Sequence, residues 1–274
     1  QNVTVFLNNT GTGATTASAV NNGSTDNCTI ASMVLSQTSF VCAEVGANTE
    51  ILTVTDVNGN SATCSTIVTV LDTVRPIATC QNITVQLNNT GTGSTTAAAV
   101  NNGSSDACGI QSLSLSQTTF VCAEVGANTE VLTVTDVNGN STTCSTTITV
   151  EDNVAPVAVC QNITVQLDIT GNANIAASQV DNGSSDACGI ASLALNVTTF
   201  SCNNVNANTV ILTVTDVNGN SSTCASTVTV LDTVRPVPNC QNVTVFLNNT
   251  GSGATTASAV NNGSTDNCTI ASMV

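Results

Sequence analysis

Thirteen cysteines and a set of Asp/Asn-rich loops are the residues of this chain whose types and spacing could do chemistry. Cysteine recurs four times per complete repeat: Cys80, Cys108, Cys122 and Cys144, then Cys160, Cys188, Cys202 and Cys224. Cys42 and Cys64 precede these at matching positions, and Cys240 and Cys268 follow. Zinc would call for a C-x-x-C pair or histidine, and the chain has neither. Fixed cysteine spacings in a Thr/Ser/Asn/Val-rich chain indicate disulfides formed in an oxidising compartment. Cys28 is set apart, because the cysteine that precedes its equivalents is missing.

The second group is acidic. Asp136-Val-Asn138-Gly-Asn140 closes a hairpin, Asp106 lies in a long polar loop, and Asp72 lies in a linker. If the linker of one domain meets the loops of the next, Asp72, Asp106, Asp136, Asn138 and Asn140 converge. Carboxylate and amide oxygens are the hard donors that Ca²⁺ takes six to eight of, so Ca²⁺ at the inter-repeat junctions is one expectation. The other is that these are turns only, since Asp and Asn bond their own backbone and no glutamate completes an EF-hand.

What is absent narrows the function. There is no His, Lys, Trp or Tyr, so the commonest general base and Schiff-base chemistry are missing and catalysis is not expected. Two cations, Arg75 and Arg235, face 17 acids, a net charge of −15. That excludes a nucleic-acid partner, which needs basic surface. No signal peptide or membrane-spanning run is present, so the segment is not expected to insert in a membrane and reads as a piece of a mature secreted chain.

These residues are positioned by a repeated strand pair. L-T-V-T-D-V-N-G-N occurs at Leu52–Asn60, Leu132–Asn140 and Leu212–Asn220, each 80 residues from the last. Alternating Leu/Val and Thr gives a strand with one buried face, and the Asp/Asn/Gly run turns it into a second strand. In the repeat that starts at Cys80, strands are expected over Asn82–Asn88, Thr95–Val100, Ile110–Ser116, Thr118–Cys122, Glu130–Asp136 and Thr143–Val150, with Phe120 as the aromatic core anchor. Short strands, Gly/Asn turns and no helical period indicate an all-β fold of tandem immunoglobulin-like β-sandwich domains. The expected domains are 1–74, 75–154, 155–234 and a partial 235–274.

Within a sandwich, Cys80 opens the first strand at the end where the polar loop lies, while Cys122 and Cys144 share inward parity with Phe120 and Ile148. This predicts Cys80–Cys108 and Cys122–Cys144, with crossed pairings as the alternative. Linkers such as Leu71-Asp-Thr-Val-Arg-Pro76 are short and carry one Pro each, which predicts a rod with about 35–40 Å per copy.

A longer period overlies the first. Gln1–Val34 matches Gln241–Val274 at 33 of 34 positions but matches Gln81–Ser114 at only 24. The super-repeat is therefore 240 residues, and the sequence is expected to be cut from a longer array of the same repeat. Phe6 and Phe246 replace the Gln86 and Gln166 of other copies at an outward position, where they are either unremarkable or mark a lateral self-association contact.

The runs V-T-D-V-N-G-N-S-x-T-C-S-T and T-V-x-D-x-x-x-P-x-x-x-C, with the D-A-C-G or D-N-C loop, resemble the hyalin repeat, an extracellular immunoglobulin-like module. Near-identical tandem copies look most like giant surface adhesins of Bacteroidota, including the SprB-type gliding adhesins. Asp72-Thr73-Val74 and Asp232-Thr233-Val234 resemble that phylum's O-glycosylation sequon, which implies glycosylation at Thr73 and Thr233. The resemblance implies a cell-surface, extracellular protein serving adhesion or filament building, and the sequence is read as a disulfide-stapled stalk segment. The alternative is that the repeat surfaces bind glycan, ice or another cell by multivalency.

Overall fold

Each hairpin motif folds into two strands of 11 residues, longer than the alternating core of the motif alone indicates. In the first repeat these are β5 (Gly46–Asp56) and β6 (Ser61–Leu71). The computed structural model describes residues 1–274. Asp56 Oδ1 accepts the backbone N–H groups of Asn58 and Asn60, at 2.8 Å each, and Gly59 takes φ +91°, so the Asp-x-Asn-Gly-Asn run closes the hairpin by the chemistry its residues carry.

The remaining strands of this repeat are β1 (Val3–Phe6), β2 (Thr12–Ala14), β3 (Ile30–Leu35) and β4 (Ser39–Val41), with a single helical turn α1 (Ala17–Val20). One sheet runs β1-β6-β5-β3, and β2 pairs with β4 in the other. β1 lies parallel to β6, Val3 opposite Val68, while the other pairings are antiparallel. Val5, Leu7, Val20, Leu35, Phe40, Leu52, Val68 and Val70 fill the space between the sheets.

The second repeat repeats this order as β7 (Ile83–Gln86), β8 (Thr92–Ser94), α2 (Ala97–Val100), β9 (Ile110–Leu115), β10 (Thr119–Val121), β11 (Gly126–Asp136) and β12 (Ser141–Glu151). The third supplies β13 (Ile163–Gln166), β14 (Asn172–Asn174), α3 (Ala177–Val180), β15 (Ile190–Leu195), β16 (Thr199–Ser201), β17 (Asn206–Asp216) and β18 (Ser221–Leu231). Phe120 and Phe200 are buried as Phe40 is. From Pro236 onward the chain keeps two isolated bridges and a helical turn α4 (Ala257–Val260), but no strands. The chain is therefore all-β, organised as tandem β-sandwich repeats. Two compact units are formed, residues 1–87 with 92–151, and residues 88–91 with 152–274.

Two expected strands differ. Thr95–Val100 is not a strand: the strand is Thr92–Ser94, and α2 follows. Thr96 caps α2, its Oγ1 accepting the Ala99 N–H at 3.2 Å, and an Ala-rich turn with a Thr cap favours helix over strand. Gly93 lets β8 press onto β7, since a Cβ there would stand 2.6 Å from Val85 Cγ1 and 2.9 Å from the Gln86 carbonyl oxygen. Cys122 is likewise outside the strand and opens a 3₁₀ turn, Cys122–Glu124. The Glu124 carboxylate holds that turn, accepting the Val121 N–H at 2.8 Å and the Gln117 side-chain amide at 2.6 Å. Leaving the strand removes the inward parity that the sequence assigned to Cys122.

Candidate functional site at the domain junctions

The parallel pairing of first and last strands decides the first disulfide. Ile83 lies opposite Ile148, so Cys80, just before β7, is brought beside Cys144 in β12. These two are bonded, as are Cys160 and Cys224 in the third repeat. The expected Cys80–Cys108 and Cys122–Cys144 pairs do not form.

The second class of bond leaves its domain. Cys42, at the start of a 3₁₀ turn in the first repeat, is bonded to Cys108 in the polar loop of the second. Cys202 is bonded in the same way to Cys268, 66 residues on. Cys122 and Cys188 are disulfide-bonded too. Cys64 and Cys240, expected in disulfides, carry exposed free thiols, as does Cys28.

Glycine makes the close approach feasible. Gly11 has φ +70°, and a Cβ there would sit 2.5 Å from Cys42 Sγ and 3.3 Å from Ala107 Cβ of the second repeat. Gly171 (φ +76°) is equally confined, 2.7 Å from both Cys202 Sγ and the Asn267 carbonyl oxygen.

Around the Cys42–Cys108 bond the predicted acidic residues come together. Ile77 pairs with Ser105 through both backbone N–H groups, at 2.8 and 3.0 Å, and folds the linker onto the polar loop. Carboxylate oxygens of Asp72 and Asp106 and the Cys108 sulfur then lie within 4.8 Å of one another. Asp106 Oδ1 accepts the Cys108 N–H at 2.8 Å. Asp72 is only 7% exposed. Its Oδ1 accepts the Val74 N–H at 3.0 Å, and its Oδ2 is buried without any donor. Burial raises the Asp72 pKa above the usual carboxylate range against the Val74 N–H, and the Asp106 and Asp136 carboxylates push it the same way.

Asp136, Asn138 and Asn140 have separate roles. Asp136 is fully buried and saturated by its own turn: Oδ1 accepts the N–H groups of Asn138 (2.9 Å) and Asn140 (2.8 Å), and Oδ2 accepts the Asn140 side-chain amide at 2.9 Å. Asn140 Nδ2 also donates to the Asp72 carbonyl oxygen at 3.2 Å, which ties the hairpin tip to the linker. Asn138 Oδ1 is buried with no donor. Asp56, the first-repeat counterpart of Asp136, is partly exposed, so the burial of Asp136 comes from the junction.

Asp152, Asp186 and Asp216 reproduce the arrangement, and the sequence reading passed over them. Asp152 is 7% exposed, its Oδ2 has no donor, and its carboxylate clusters with Asp186 and the Cys188 sulfur within 4.8 Å. Asn220 Nδ2 donates to the Asp152 carbonyl oxygen at 3.0 Å. The 80-residue shift from Asp72, Asp106 and Asp136 points to all three, although Leu71-Asp-Thr becomes Glu151-Asp-Asn around the first.

At Asp232 the chemistry changes. Position 267 is Asn where positions 107 and 187 are Ala. Asn267 Nδ2 donates to Asp232 Oδ1 at 3.1 Å and to the Asp168 carbonyl oxygen at 3.1 Å.

Elsewhere, Thr73 and Thr233 are exposed, and Phe6 and Phe246 are 60% and 86% exposed, in keeping with outward positions. No helix is long and apolar enough to cross a membrane.

No family model matches the sequence, and no curated protein does. Among solved structures, the chain is similar to the protocadherin gamma B7 extracellular cadherin domains 1–4, at 12% identity and a TM-score of 0.30, over 76% of this chain and 66% of that one. Mouse clustered PcdhgC3 EC1–3 matches at 17% identity and a TM-score of 0.29, over 71% of this chain and 83% of that one. Sidekick-1 immunoglobulin domains 1–4 match at 9% identity and 0.31, over 70% and 60%. Superpositions this loose transfer neither arrangement nor ligand.

Proposed function

We propose that the chain is a load-bearing segment of an extracellular adhesive protein, a stalk in which consecutive sandwiches are fastened to one another by disulfides. The observation that carries this reading is the Cys42–Cys108 bond, which joins one domain to the next instead of closing a domain on itself. A bond within a domain limits how far that domain extends. A bond between domains also prevents the linker from hinging and routes tension around it. Disulfides support an oxidising, extracellular setting, and the likeness of its motifs to hyalin repeats of cell-surface adhesins agrees with that. The role proposed is mechanical and non-enzymatic.

Single-molecule pulling tests the proposal. The oxidised chain is expected to release a much shorter contour length on unfolding than the same chain after reduction. The cross-domain bonds should account for part of the difference, so Cys42→Ser with Cys108→Ser recovers some of the missing length. Equal extension of oxidised and reduced chains would remove the load-bearing role.

A further inference from the structure

We infer that Asp72 and Asp106 form a calcium site at the first junction and that Asp152 and Asp186 form a second. A buried carboxylate oxygen without a hydrogen-bond donor is costly, and the cost is met by a proton, a donor or a cation. Asp72 Oδ2 has no donor although the residue is more than nine-tenths buried, and Asp152 Oδ2 repeats the condition at an independent position. In each case a second carboxylate stands within 4.8 Å, so two negative groups face one another where a cation would bridge them.

The donor set selects the ion. The third group in each cluster is a cysteine sulfur, but Cys108 and Cys188 are disulfide-bonded and offer no thiolate. Only hard oxygen donors remain, the carboxylates themselves. Such a set, incomplete and open to water, suits calcium over zinc or copper. Access is provided by a cleft lined by Asn9, Arg75, Ser105, Asp106 and Ala107. A matching cleft at the second junction is lined by Asn89, Ser185, Asp186 and Ala187.

The third junction differs: the Asn267 amide donates to Asp232 Oδ1 at 3.1 Å, the oxygen that also accepts the Val234 N–H, and Asp232 is only partly buried.

Isothermal titration of the calcium-free oxidised 274-residue chain with calcium chloride tests this, with magnesium chloride as the comparison. Two equivalents are expected, with Kd on the order of 10⁻⁴ to 10⁻³ M, the range of extracellular calcium modules. Asp72→Asn should lose one equivalent, and Asp72→Asn with Asp152→Asn should lose both. Asp106→Asn changes a partly exposed carboxylate and keeps an oxygen for the Cys108 N–H, so it should lose one equivalent with circular dichroism unchanged. If Asp72→Asn misfolds, Asp106→Asn decides alone. No saturable heat up to several millimolar calcium, undiminished stoichiometry in the double Asp variant or in Asp106→Asn, or tighter binding of magnesium than calcium would each overturn the assignment.

Discussion

Asp72 carries an electrostatic load that ordinary surface aspartates do not. Its pKa is raised in the folded chain by burial and by Asp106 and Asp136. A carboxyl raised above its unfolded value of about 3.9 costs stability wherever it is ionised, and the cost is relieved as pH falls through the folded value toward the unfolded one. Glu44 and Glu124 behave oppositely. Their pKa values are lowered, chiefly by the Gln37 and Gln117 amides, so what they contribute is present above the usual Glu range and is lost as pH falls through the lowered values. Without calcium, Asp72→Asn should therefore be more stable than the parent chain in denaturant melts at neutral pH, and the gap should shrink as pH falls through the raised Asp72 value. A gap that does not change with pH would show that Asp72 is not under strain.

Gly11 makes a second residue-scale case. Its positive φ and the 2.5 Å distance from a Cβ to Cys42 Sγ mean that Gly11→Ala should cost more than the about 1–2 kcal/mol of left-handed backbone strain, while Gly23→Ala, with open space around it, should cost only that strain. Thermal unfolding of the two variants compares them, and equal losses would mean that the junction is looser than described. Neither effect was visible from sequence, because a Gly in a polar loop carries no mark of what it faces.

At the scale of the element, the hairpin was the most legible part of the chain. Leu/Val alternation and the Asp-x-Asn-Gly-Asn turn sufficed to place β11 and β12, and Phe120 as a core anchor followed from its position among small residues. The helical turn α2 was missed because Thr-Ala-Ala-Ala-Val also fits a strand of small residues, and the Thr96 cap is a weak mark, since α3 forms with Ala176 in that place. The cysteine pairing was misjudged through one topological fact: first and last strands run parallel, which places Cys80 beside Cys144 and leaves Cys108 to the neighbouring domain. In the chain-entropy description, a bond closing a separation of 64 residues contributes about 4 kcal/mol. Replacing Cys80 and Cys144 together by Ala should thus destabilise the second sandwich by about 3–4 kcal/mol in a denaturant melt. If the double variant melts with the wild-type midpoint, that bond is not holding the small core together.

For the molecule as a whole, the acidic site was half legible. The sequence brought Asp72, Asp106, Asp136, Asn138 and Asn140 to one place, and the structure brings them together while dividing the work: Asp136 and Asn140 build the turn, and Asp72 and Asp106 are left facing each other. What no single repeat could reveal was that the cysteines alternate between closing a domain and joining it to the next, since either use leaves the same four positions per repeat. The central claim is that this second class of bond links consecutive sandwiches, and peptide mapping by mass spectrometry of the unreduced, thiol-blocked chain tests it most directly. Cleavage should yield a linked pair containing Cys42 and Cys108 and a separate pair containing Cys80 and Cys144. Recovery of Cys80 linked to Cys108 and Cys122 linked to Cys144 would contradict it, returning each domain to a self-contained unit with nothing covalent between neighbours but the linker.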